Sequence, residues 1–127
     1  MRRRGEYGII TRMKSDMVEY DIHRRGIHTD EALAMFSRIV SSERAKGRGG
    51  IFAVVTGYGS TGGTSLIKSA VLAACRRYMK QNHIKGFLDG EFAGDFFSPQ
   101  CMAFPAASMI PVRYRRSPNP GLVFVCV

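Results

Sequence analysis

Residues 51–66, IFAVVTGYGSTGGTSL, constrain the chain more than any other stretch: a short apolar strand runs straight into a glycine-rich turn that opens an amphipathic helix. Glycine lets a backbone approach a guest closely, and the free N–H groups at a helix N-terminus attract an anion. Phosphate is the expected guest. Gly57, Gly59 and Gly62 match the G-x-G-x-x-G pattern of dinucleotide sites, whereas Gly57, Gly62 and Thr64 match a P-loop in which Gly63 replaces the lysine. The rest of the chain has to decide what the phosphate belongs to.

With 127 residues the chain is sized for one domain with a modest core. A 45% apolar share with 10% aromatics argues against extensive disorder. Charge is the unusual quantity: 19 Lys and Arg against 10 Asp and Glu give +9, a balance that favours polyanionic partners. The basic residues cluster at Arg2–Arg4, Arg24–Arg25, Arg44–Arg48, Arg76–Lys80 and Arg113–Arg116, with few carboxylates between them. Cys75, Cys101 and Cys126 form no C-x-x-C pair, so neither a disulfide framework nor a zinc knuckle is indicated, and a reducing cytoplasm suits them. No apolar run is long enough to cross a bilayer, and the N-terminus lacks the apolar core of a signal peptide. The expectation is a cytoplasmic protein without a membrane partner.

Residues 1–16 are basic and aperiodic, and read as an arm. Residues 17–23 alternate as a strand, with Val18, Tyr20 and Ile22 on one face and Glu19, Asp21 and His23 on the other. Thr29 is suited to cap a helix whose first turn carries Asp30 and Glu31, with Ala32, Leu33, Phe36, Ile39 and Val40 as its buried stripe. Gly47, Gly49 and Gly50 end that helix, and the strand 51–56 follows. A second helix starts near Thr64 or Ser65, buries Ile67, Ala70, Ala74 and Tyr78, and finishes around Asn82. Residues 84–88 and 122–127 supply two further strands, the last set off by Asn119-Pro120-Gly121. Two strand-helix-strand units in succession imply an α/β fold with a parallel core. The stretch from Gly90 to Pro118 is long for a loop; its Phe and Pro residues read as coil packed over one end of the core, and Arg113, Tyr114, Arg115 and Arg116 as a solvated, phosphate-facing edge.

Parallel neighbouring strands end on one rim of the sheet, where ligands bind. Asp21-Ile22-His23 and Thr56-Gly57-Tyr58-Gly59 therefore open on the same rim, and Asp21 and His23, two apart, share a face. Histidine is suited to move protons near neutral pH, and a carboxylate close by can orient its ring. His23 is a candidate to deprotonate a water or a ribose 2′-hydroxyl, with Asp21 orienting it or binding a divalent cation. The plainer alternative is that Asp21 caps the loop backbone and His23 is a surface residue. A dinucleotide site would use Asp89 at the next strand end, but the strands are too few for two nucleotide-binding halves. A P-loop enzyme is disfavoured because Gly63 removes the lysine. No small-molecule cofactor is expected.

The order of a strand ending in Asp21-x-His23, Glu31-Ala32-Leu33, Val55-Thr56-Gly57-x-Gly59 opening a second helix, and Asn119-Pro120-Gly121 before a last strand resembles the small MutS-related (Smr) domain over residues 17–127. The resemblance implies a two-layer α/β sandwich, β-α-β-α-β-β, with a four-stranded mixed sheet, its last strand antiparallel, similar to the C-terminal domain of translation initiation factor three. It also implies binding to RNA or DNA and nicking or cleavage of either. The family's D-x-H motif falls on Asp21 and His23, and its [HT]-G-x-G motif on Thr56, Gly57 and Gly59. Arg24 and Arg25 stand where the family has a glycine after the histidine. The expectation is an endonuclease in which Asp21 and His23 act on a phosphodiester held by Thr56, Gly57, Tyr58 and Gly59, with Arg24, Arg25 and Lys68 adding charge. The alternatives are a nucleic-acid- or ribosome-binding module without chemistry and, third, a small nucleotide-binding protein.

Overall fold

The computed structural model describes residues 9–13, 17–23, 26–47, 49–57 and 66–127, the first of these segments as backbone alone. Five strands, β1 (Ile9–Met13), β2 (Val18–Asp21), β3 (Ile51–Val55), β4 (Gly86–Asp89) and β5 (Leu122–Cys126), form one sheet in the order β1-β2-β3-β5-β4. β2 and β3 are parallel, and β5 runs antiparallel to both β3 and β4. A mixed sheet with its last strand reversed was expected, but with four strands; β1 adds a fifth. β4 is parallel to β3 in direction, yet β5 lies between them, so the two are not hydrogen-bonded neighbours.

The N-terminal stretch corrects the reading of residues 1–16 as an arm alone: β1 pairs antiparallel with β2 and covers its outer edge. Its register shifts between Ile10 and Arg12, and an irregularity of that kind destroys the period of two by which a strand shows itself in a sequence.

On one face of the sheet lie two helices, α1 (Thr29–Ala45) and α2 (Leu66–Lys80). α1 begins one residue earlier than expected. Thr29 is its first helical residue and His28 its cap, with the Glu31 carboxylate accepting the His28 N–H at 3.2 Å. Ala32, Met35, Phe36, Ile39 and Val40 of α1 and Ile67, Val71, Ala74 and Cys75 of α2 close over Tyr20, Ile22, Phe52, Val54, Val123 and Val125. These are the alternate residues of β2, β3 and β5, as the pleat requires.

The other face is covered as well. Ile51, Ala53, Leu122, Phe124 and Cys126 meet Ala93, Cys101, Phe104, Ala106, Ile110 and Tyr114, all from the stretch after β4. That stretch is built of two short 3₁₀ turns and two one-turn helices, α3 (Pro99–Ala103) and α4 (Val112–Arg116). Three layers result, where two were expected. The reason is legible in β3 and β5: every residue of β5 is buried, and a strand apolar on both faces needs cover on both. Tyr114 stands edge-on to Phe124, ring centroids 5.3 Å apart, and fastens α4 to the sheet centre.

Candidate functional site

The C-terminal ends of β2 and β3 and the start of the reversed β5 converge on one rim. At the end of β2 the Asp21 carboxylate accepts the backbone N–H of His23 at 2.8 Å, closing a local turn. One residue beyond β3, Thr56 is fully buried, and its N–H and Oγ1 both donate to the Gly121 carbonyl, at 2.8 and 3.2 Å. Gly57 follows with φ +77°, left-handed backbone that favours glycine. The His23 ring lies directly on it: a Cβ at position 57 would stand 2.3 Å from His23 Cδ2 and 2.7 Å from Nε2. Only a residue without a side chain leaves room for the imidazole there.

The structure thus brings Asp21, His23 and Gly57 together. It gives Asp21 the backbone-capping contact that was the plainer alternative, and through it a positioning effect, because the turn fixes the chain at His23. Thr56, expected to bind phosphate, is a buried clamp between β3 and the turn before β5. Lys68, expected to add charge, is also corrected: its ammonium is buried, 2.9 Å from the Asp89 carboxylate, and ties α2 to the end of β4. The same Asp89 oxygen accepts the Glu91 N–H at 3.1 Å, so the acid that a dinucleotide ribose would require is already engaged. Arg24, Arg25, Tyr58 and Gly59 lie outside the described residues, as do the helix caps proposed at Thr64 and Ser65.

Beside Asp21, on the face opposite α1 and α2, opens a cleft of about 360 Å³ lined by Glu19, Val55, Arg113, Ser117, Asn119 and Leu122, with Tyr114 at its wall. Val55 is the register partner of Asp21, which puts the cleft next to the Asp21 turn. Asn119 Oδ1 accepts the Gly121 N–H at 2.8 Å, leaving the amide NH₂ as its donor. Arg113 approaches Glu19 at 4.0 Å and its guanidinium bonds the Tyr114 hydroxyl at 3.1 Å. Glu19, Ser117 and Asn119 are the lining residues that sequence reasoning missed, whereas Arg113 was expected on a phosphate-facing edge. A signal existed for Asn119, because a reversed last strand begins at the rim where β2 and β3 end.

Among the described residues no group of three or more His, Cys, Asp or Glu side chains could hold a metal ion. Burial pushes the Cys75 thiol up to about 12, and raises those of Cys101 and Cys126, so these sulfurs are poor nucleophiles. No helix among the described residues is long and apolar enough to cross a membrane. The chain matches no protein-family model, no curated protein and no solved structure, so the chemistry of the rim rests on its own geometry.

Proposed function

We propose that the protein binds RNA or DNA and cleaves a phosphodiester at the rim formed by Asp21, His23 and Gly57, in the manner of a small MutS-related nuclease. The observation that carries this reading is the seating of the His23 ring on the Gly57 backbone, because it sets a proton-transfer group against a turn whose glycine admits close approach. His23 takes the proton of an attacking water or ribose 2′-hydroxyl as the new P–O bond forms, and the leaving oxygen departs as the old one breaks, taking a proton from water. Asp21 positions His23 through the backbone turn, while Arg113 and Asn119 meet the phosphate from the cleft.

The test is cleavage of labelled RNA and DNA, single-stranded and structured, with and without a divalent cation. His23→Ala is expected to abolish cleavage and keep binding. Asp21→Asn retains an acceptor for the His23 N–H and is expected to keep most of the activity, whereas Asp21→Ala loses it. A wild type that leaves every substrate intact removes the enzymatic reading.

A second reading, a binding module without chemistry, is favoured by one detail: an Asp21 oxygen is spent on a backbone N–H. It expects tight, salt-dependent binding and no cut strands. Under either reading we propose that the fold is similar to the C-terminal domain of translation initiation factor three.

A further inference from the structure

The layer that covers the second face of the sheet presents apolar side chains outward, and these have no role in the core. Among the described residues seven large apolar side chains are exposed; Leu66 and Met79 lie on α2, and the other five, Phe96, Phe97, Met102, Met109 and Val112, belong to the stretch between β4 and β5. Phe97 is 90% exposed, the most of any large apolar side chain described. It is nonetheless held by an ordered turn. The Asp95 carboxylate accepts the Phe97 N–H at 3.2 Å, and the Asp95 carbonyl accepts the Ser98 N–H at 3.1 Å and the Ser98 hydroxyl at 2.8 Å.

The same turn is anchored to the basic helix α4. A Cβ at Gly94 would stand 2.5 Å from the Arg115 carbonyl oxygen, so the two backbones are in contact. The Arg115 guanidinium lies 5.0 Å from the Phe96 ring centre and donates to the carbonyls of Ala107 and Ser108, at 3.2 and 2.9 Å. Arg113 and Arg116 are exposed on the same short helix, and no Asp or Glu occurs anywhere after Asp95. The patch therefore joins exposed aromatic faces to an excess of positive charge, in which Arg113 has Glu19 at 4.0 Å as a partial counter-charge. Apolar surface alone would fit many partners, but this combination fits a polyanion whose units carry flat π-faces.

We propose that this patch is a stacking platform for single-stranded nucleic acid, with Phe97, and the Phe96–Arg115 pair beside it, receiving unstacked bases while Arg113 and Arg116 meet the backbone phosphates. The proposal rests on the nucleic-acid reading given above and names its substrate class. Bases in a duplex are stacked on one another and cannot lie on Phe97, whereas a single strand offers every base. Arg113 also lines the cleft beside Asp21, so one helix connects the platform to the rim.

The experiment measures binding of the full chain, by fluorescence anisotropy at fixed salt, to a single-stranded oligonucleotide and to a duplex of equal length. The variants are Phe97→Ala, Phe97→Leu and Phe97→Tyr. Phe97→Ala and Phe97→Leu are expected to weaken single-strand binding by about 5-fold to 150-fold, the range of one base–aromatic stack. Phe97→Tyr is expected to keep it, and duplex binding is expected not to move. Single-strand affinity unchanged in Phe97→Ala, or kept by Phe97→Leu as well as by Phe97→Tyr, would overturn the platform while leaving nucleic-acid binding in place. If Phe97→Ala lowers binding to phosphatidylserine vesicles and not to oligonucleotides, the patch is a lipid-facing surface and the proposal fails. A wild type that binds no oligonucleotide overturns the underlying reading itself.

Discussion

His23 owes its position to two neighbours that a sequence lists far apart: the Asp21 carboxylate fixes its backbone, and Gly57 leaves the space its ring occupies. Gly57→Ala attacks this arrangement twice. The left-handed φ costs a residue with a side chain about 1–2 kcal/mol, and the added carbon falls inside the imidazole. Because the His23 ring is the movable end of an exposed side chain, the fold should survive with a stability loss of about 1–2 kcal/mol in urea unfolding and the ring should swing away. Cleavage by the variant should then drop with binding intact; a variant as active as the wild type would separate the ring's seat from the chemistry. Cys75 offers a prediction of a different kind. Its thiol is neutral in both folded and unfolded chains below about pH 9, but above it the unfolded chain releases a proton that the native core retains until about pH 12. Stability therefore falls as pH rises through that window. Comparing urea midpoints at pH 8 and pH 10.5, the wild type should lose more than Cys75→Ala does.

At the scale of elements, α1, α2 and the three strands β2, β3 and β5 were legible because each carries an unbroken pattern over a continuous run. Ile67, Ala74 and the neighbouring Val71 line α2 as a 3.6-residue stripe should, and β3 shows its double burial as an uninterrupted apolar run. β1 was not legible because a register shift interrupts it, and β4 was placed two residues early because Ile84 is buried outside the strand. The layer between β4 and β5 was expected as coil over one end of the core, whereas it holds two 3₁₀ turns and two one-turn helices and covers a face of the sheet. What no period could reveal is that Phe104, Ile110 and Tyr114, spaced irregularly, land on one face of the sheet. The reading of Tyr114 as part of a solvated edge was wrong for that reason: its neighbours are arginines in the sequence and Phe124 in space. If this layer is structural, Tyr114→Ala should destabilise the protein by about 3 kcal/mol, as for other buried aromatics. A change within about 0.5 kcal/mol, the range for exposed sites, would mean that the layer does not contribute to the core.

For the whole molecule, the site was legible as a rim and less so as a set of ligands. Parallel strands placed Asp21 and His23 beside Gly57, which the topology bears out. Lys68 and Thr56 were misjudged because a polar residue near an anion site looks the same in a sequence whether it faces the guest or serves the scaffold; burial and pairing distinguish them. The charge of +9 is summed over all 127 residues, and it makes a claim about association that no single contact does. Binding to a nucleic acid should weaken steeply with salt, log affinity falling with log salt by about 0.9 for each phosphate met on duplex DNA and about 0.7 on a single strand. Arg113→Gln should lower that slope by roughly one contact. An affinity indifferent to salt would set polyanion binding aside. The central claim, that His23 on Gly57 performs chemistry on a bound phosphodiester, is tested most directly by incubating end-labelled single-stranded RNA and DNA with the wild type and with His23→Ala and resolving the products. Cleavage by the wild type, with none by His23→Ala at unchanged affinity, is the predicted result; intact strands with the wild type, or equal cutting by both proteins, would contradict it.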